Sequence, residues 1–194
     1  MAYVGMKNLC VAPVSAESSS GITYGTGLLT EHVRKGDITY TYDESDYYGD
    51  DRKVDYIKKI LDYDVTLEMT DIATEVLTAL GLEEEITEGT TTTTTRYELA
   101  GESEVPVGFG FIQTLRIDGE YTYRAYWFYK CTFSPSDMNA KTMEKNLEWG
   151  SPTIKGKGWG VIADSTGKTR WRTFEDFETE AAALAWLKTK AGIT

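Results

Sequence analysis

The chain has 194 residues, with 20 Lys and Arg against 31 Asp and Glu for a formal charge of −11, and 41% of it is hydrophobic. That length supports one sizeable core, and the composition excludes a wholly disordered chain. The acidic balance argues against a protein that grips nucleic acid by its phosphates, because such a protein needs a Lys/Arg footprint.

Thirteen Tyr against four Pro, together with abundant Thr, favour strands. Cys10 and Cys131 lie far apart without Cys-x-x-Cys or Cys/His spacing, so both are expected as free, small, buried side chains. The first twenty residues lack the basic segment and apolar core of a secretory signal, and no run approaches the ~18 apolar residues that span a bilayer. Folding in the cytosol is the expectation.

Met6 to Val14 reads as a first strand, ended by Pro13 and the small-residue run Ser15–Gly21. Ile22–Leu29 contains a Tyr24-Gly25 turn signal. Ile38, Tyr40 and Tyr42 alternate with Thr39 and Thr41. The acidic, tyrosine-rich DESDYYGDD, Asp43 to Asp51, reads as a long exposed loop, not a strand. Leu61, Tyr63, Val65, Leu67 and Met69 alternate with Asp62, Asp64, Thr66 and Glu68, which predicts a strand with one buried face and one wet, acidic face.

A helix over Ile72–Leu80 follows, capped by Thr70 or Asp71 and stopped at Gly81. Its apolar stripe is Ile72, Ala73, Val76, Leu77 and Leu80. Glu83–Gly89 reads as an acidic loop, and the threonine run Thr90–Thr95 opens an edge or hairpin strand to Leu99.

The stretch Phe109 to Phe133 organises the chain. Asp118-Gly119 is the two-residue signal for a type I′ hairpin turn, which pairs Ile117 with Glu120, Thr114 with Tyr123 and Gly110 with Trp127. Aromatic residues then fall on both faces, so the hairpin is sandwiched between other elements or covered by another copy of the chain. Ser134–Lys145 reads as a loop with Pro135 and Asp137 as turn formers. Leu147–Ala163 is strand broken by Pro152, Gly156, Gly158 and Gly160; Asp164–Lys168 turns back into Thr169–Phe174; Glu178–Lys190 is a helix packed through Ala183, Leu184, Trp186 and Leu187. No repeat or linker divides residues 1–194. The predicted fold is a single, mostly antiparallel β domain, a sandwich or open barrel, partly covered by two helices.

Candidate chemistry is sparse. His32, in GLLTEHVRKGD, has no partner motif and reads as a surface side chain. Ile162–Thr169, IADSTGKT, imitates the end of a phosphate-binding loop, but strand-like RWRTF follows where a helix is needed, and Gly167 reads as a turn residue with positive φ. The acid pairs Asp50-Asp51, Asp62/Asp64 and Glu83–Glu85 show no fixed separation of the kind a glycosidase needs. Trp127, Trp149, Trp159, Trp171 and Trp186 are scattered, as core or interface anchors are. No cofactor, metal or catalytic residue is expected.

MKNLCVAPV, ITYGTGLLT, DESDYYGDD, DVTLEMTDIATEVLTALGL, VGFGFIQTLRIDGEYTYRAYWFYKCTFSPSD, LEWGSPTIKGKG and FETEAAALAWL occur in that order. Together they resemble the major tail proteins, the tail-tube proteins of bacteriophages with long non-contractile tails, over essentially the whole chain. Val107–Gly110, Tyr123–Tyr129 and Ser151–Lys155 are the most specific pieces, and Leu82–Gly101 has no counterpart in the family pattern.

The resemblance implies a structural virion protein with a β-sandwich or half-barrel flanked by helix. It would form hexameric rings that stack into the conduit for DNA ejection, and its place would be the virion tail, assembled in the host cytoplasm. Its partners would be copies of itself and the tail-tip, tape-measure and tail-terminator proteins, with DNA passing through unbound and no membrane involved. The inter-subunit loop would be Asp43–Asp51, carrying Asp43, Asp46, Tyr47, Tyr48, Asp50 and Asp51. Carboxylates in a bore repel phosphate within a Debye length of ~8–10 Å, which makes Asp62, Asp64 and Glu68 the candidate lumen-facing acids. The alternatives are a carbohydrate-binding β-sandwich module of an adhesion device and a small hydrolase using acid pairs.

Overall fold

The computed structural model describes residues 2–50, 52–87, 94–99, 105–134, 151–162 and 165–193. In chain order its elements are β1 (Ala2–Ser18), β2 (Gly21–Tyr24), β3 (Leu28–Thr30), β4 (Val33–Gly49), β5 (Arg52–Met69), α1 (Thr74–Ala79), β6 (Glu83–Thr87), β7 (Thr94–Glu98), β8 (Val107–Ile117), β9 (Glu120–Ser134), β10 (Thr153–Trp159), β11 (Val161–Ile162), β12 (Thr169–Arg170), β13 (Arg172–Phe177) and α2 (Glu180–Ala191). The expectations at Asp51, Thr90–Thr93, Pro135, Asp137 and Trp149 lie outside the described residues.

The organising hairpin forms as its turn dictates. Asp118 and Gly119 take φ of 52° and 97°, the positive values a type I′ turn requires. Ile117 pairs with Glu120, Thr114 with Tyr123 and Gly110 with Trp127. From this hairpin one antiparallel sheet grows outward in the order β2-β1-β8-β9-β10-β5-β4, with β13 added to β9 and β3 to β1. The fold is mainly β with flanking helices.

Two apolar clusters, one on each side of the hairpin, hold the sheet. On the inner side Phe109 stacks on Phe128 at 4.6 Å, and around them pack Leu9 and Val11 from β1, Tyr63, Val65 and Leu67 from β5, Ile154 from β10, Val76 from α1 and Leu80 at its C-cap. The sheet therefore curls around its own core as a half-barrel. On the outer side Ile112, Ala125 and Trp127 lie beneath Ala183, Leu187 and Ala191 of α2. Each fully buried large side chain stabilises the fold by about 1.5–3 kcal/mol. Both aromatic faces are thus covered by other elements of the same chain, and the hairpin itself makes no demand for a second copy.

The helices end where expected and start differently. Thr179 caps α2, its hydroxyl accepting from the Ala182 N–H at 3.3 Å, and Gly192 closes it at φ 66°. Ile72, Ala73, Val76, Leu77 and Leu80 do pack on the core. Neither Thr70 nor Asp71 caps α1, however: its N-cap is Ala73, without a side-chain cap bond. The reason is that the Thr70 N–H and hydroxyl both donate to the His32 carbonyl, at 2.8 and 3.3 Å, which ties this residue to the sheet.

Four strand expectations are corrected. Pro13 does not end the first strand, which runs on to Ser18. Pro13 sits where the partner changes, its carbonyl accepting from Gly25 at 2.8 Å, and β2 takes over from Val14. Asp43 to Gly49 is strand, not loop, because it is paired with Arg52–Lys59. Glu83–Thr87 is also strand, paired with Thr94–Glu98. Leu61 is exposed, unlike Tyr63, Val65, Leu67 and Met69, because it is the extra residue of a register shift: Thr41 pairs with Asp62 and Tyr42 with Ile60.

Candidate functional site

The most distinctive feature is the far half of the β4–β5 hairpin. From Tyr42 to Gly49 and from Arg52 to Lys59, described side chains on both faces are exposed. The two strands are held by cross-strand charge. Asp43 lies opposite Lys59 and Glu44 opposite Lys58, with ion pairs Lys58–Glu44 at 2.6 Å and Lys53–Asp46 at 2.5 Å. Lys58 also sits over the Tyr42 ring at 4.0 Å and Lys53 over Tyr56 at 4.2 Å. The Lys58 ammonium holds the Glu44 carboxyl below its ordinary range. At the tip Gly49 pairs with Arg52 and Asp50 takes φ of 50°, a left-handed conformation that aspartate tolerates.

The arm spans about 23 Å from Tyr42 to Gly49 at ~3.3 Å per residue. It carries exposed Tyr47, Tyr48, Val54, Tyr56 and Ile57. Its outer edges pair with nothing among the described residues, since β10 meets β5 only from Asp62 to Glu68. Such a two-stranded ribbon is marginal alone in water, and open strand edges are templates for pairing with another chain. Asp43, Asp46, Tyr47, Tyr48 and Asp50 all lie on this arm. The half from Arg52 to Ile60 was missed in the sequence. Its signal was available in the basic run that follows the acidic one at hairpin spacing, complementary in charge.

At the root of the arm lies an aromatic cluster. Tyr42 is 6.4 Å from Tyr40, and Tyr40 is 4.8 Å from Trp171. Beside it the Arg172 guanidinium stacks on Trp171 at 4.3 Å, Tyr126 at 5.1 Å and Phe174 at 5.7 Å. Arg124 grips Asp176 through two hydrogen bonds of 2.6 and 2.7 Å, and this pairing holds the Asp176 carboxyl below its ordinary range. Sequence reasoning did not single out Arg172, because Tyr126 of β9 is brought to it only through the pairing of β9 with β13.

Asp62, Asp64 and Glu68 share the outer face of β5, as the alternation predicts, but the face is mixed in sign. Asp62 pairs with Lys157 at 3.0 Å and Glu68 with Arg34 at 3.3 Å. Lys157 and, secondarily, the Thr41 hydroxyl hold the Asp62 carboxyl below the ordinary range. Lys157 lies opposite Asp64 and Lys155 opposite Thr66. The three acids are therefore brought together in space without forming a purely anionic stripe.

The other candidate groups resolve simply. His32 is exposed. Gly167 has φ of 68° and the chain continues into β12, not a helix. Cys10 and Cys131 are free and buried, and burial pushes the Cys10 thiol up to about 12. Among the described residues no group of three or more His, Cys, Asp or Glu could hold a metal ion, and no helix is long and apolar enough to cross a membrane. No protein-family model matches the chain, and no curated protein matches it.

Proposed function

We propose that this chain is a structural subunit that assembles with copies of itself, and specifically a tail-tube protein whose hexameric rings stack into the conduit for phage DNA ejection. The observation that supports it is the arm: a long ribbon with solvent on both faces, unpaired edges and exposed tyrosines and aliphatics. A free monomer gains little from ordering such an element; a neighbour that covers it supplies the missing contacts. Ring number and tube follow from the sequence resemblance.

Under this proposal the tail-tip, tape-measure and terminator proteins act at the ends and inside of the tube, and DNA passes without specific binding. The role is structural and asks for no cofactor. The test replaces residues 43–59 by an Asn-Gly turn. The intact chain at high concentration should form rings or tubes in negative-stain micrographs. The shortened chain should stay monomeric with its Tm within about 4 °C, since a change of ~1 kcal/mol moves a domain of this size by ~2–4 °C. An intact chain that is monomeric at every concentration refutes the proposal.

A further inference from the structure

The Arg172 cluster is unusual because its cation is placed but not paired. Three rings hold the guanidinium, and its side chain makes no ion pair or hydrogen bond among the described residues. The neighbouring Arg124–Asp176 pair is already satisfied internally, so the patch as a whole is positive. Phe174, at its rim, is half exposed. A guanidinium fixed on aromatic faces has lost little of its donor capacity, and a carboxylate that meets it gains two parallel charge-assisted hydrogen bonds.

The complementary group is on the same chain but at the far end of the same ribbon. Asp50 stands at the arm tip with no ion-pair partner among the described residues, next to the exposed rings of Tyr47 and Tyr48. The arm leaves the body beside the Arg172 cluster, and its two strands stay paired from Tyr42 to Gly49, which puts the tip about 23 Å along the ribbon from its own root at ~3.3 Å per residue. Donor and acceptor at opposite ends of one ribbon make a head-to-tail contact, the kind that closes rings or propagates filaments.

We infer that the Arg172 patch is the receptor for the arm tip of a second copy, with the Asp50 carboxylate on the guanidinium and the tip tyrosines against Phe174. This rests on the assembly reading above and names the surface that receives the arm.

The test is charge complementation with the full-length chain. Asp50→Arg and Arg172→Glu, each alone, should raise the concentration for half-assembly at least tenfold, about 1.4 kcal/mol. Mixed one to one, the two variants should assemble again, because each supplies the partner that the other lacks. An intramolecular or merely structural role for Arg172 cannot produce that rescue. Arg172→Gln, which places no carboxylate among the rings, should weaken assembly in the same direction while its Tm stays near that of the parent.

If Arg172→Gln assembles like the parent, or the mixture stays dissociated while both variants melt normally, the receptor assignment is overturned. In that case loss of assembly on arm replacement still supports the tube reading. If the parent itself never assembles, both fall.

Discussion

Gly158→Ala tests the way the half-barrel is packed. Gly158 in β10 pairs with Tyr63 on one side and Cys131 on the other. The Tyr63 ring lies across its bare Cα to reach β9, where the hydroxyl donates to the Lys130 carbonyl at 2.9 Å. A Cβ on residue 158 would stand 2.2 Å from Tyr63 Cζ and 2.4 Å from its hydroxyl oxygen. Carbon contacts normally lie at about 3.5–4.0 Å, so the ring must move by more than ~1 Å. Phe128 at 5.6 Å and Trp171 at 5.9 Å flank it, so movement repacks the core as well as breaking the hydrogen bond.

Overpacking costs about 1–3 kcal/mol and the lost hydrogen bond about 1 kcal/mol. A total near 3 kcal/mol lowers Tm by roughly 6–12 °C in a chain of this size. Thermal unfolding followed by circular dichroism measures it, and a double-mutant cycle assigns it. In a Tyr63→Leu background the methyl has no ring to strike, and Gly158→Ala should cost under ~1 kcal/mol, a coupling of about 2 kcal/mol. Equal costs in the two backgrounds would refute the close packing of Tyr63 over Gly158.

Thr179→Ala removes the cap of α2 and should lower stability by about 1 kcal/mol, seen as a Tm drop of a few degrees; Thr179→Ser should restore most of it. Cys10 and Cys131 should resist thiol reagents at pH 8 in the folded protein and react in denaturant, because both are buried and burial raises both thiols; rapid labelling of the native chain would contradict their placement. The Asp176 carboxyl is held low by Arg124, so its stabilisation is complete above the unfolded value near ~3.9 and is lost as pH falls through the lower folded value. Acid titration of Asp176→Asn should therefore show a shallower loss of stability below about pH 4 than the parent, and identical slopes would count against the pair.

What was legible in the sequence is what is local. Asp118-Gly119 carries its turn in two residues, and the alternation of Tyr63 to Met69 carries its buried face in seven. The arm was misread because no side of it is buried: with solvent on both faces there is no hydrophobic period, and Asp43–Gly49 is a strand only by virtue of Arg52–Lys59 opposite. The cap of α1 was misplaced because Thr70 is engaged by His32, a contact 38 residues distant in sequence. The Arg172 cluster was invisible for the same reason, since Tyr126 and Phe174 meet across β9 and β13. The wet face of β5 was found, but its charge was misjudged, because Lys157 and Arg34 arrive from neighbouring strands.

The sheet order also governs when the protein can become itself. β1 must wait for β8, β5 for β10, and β9 for β13, which ends at Phe177. Non-local pairings of this kind fold slowly, since each long loop is closed before its contacts reward it. A ribosome therefore has to release the chain as far as Phe177 before the half-barrel can shut, while the β4–β5 hairpin is complete by residue 69. The ribbon with unpaired edges is thus finished well before β8, β10 and β13 emerge, and the lysines and aspartates it carries are side chains of the kind that discourage edge-to-edge pairing between nascent chains.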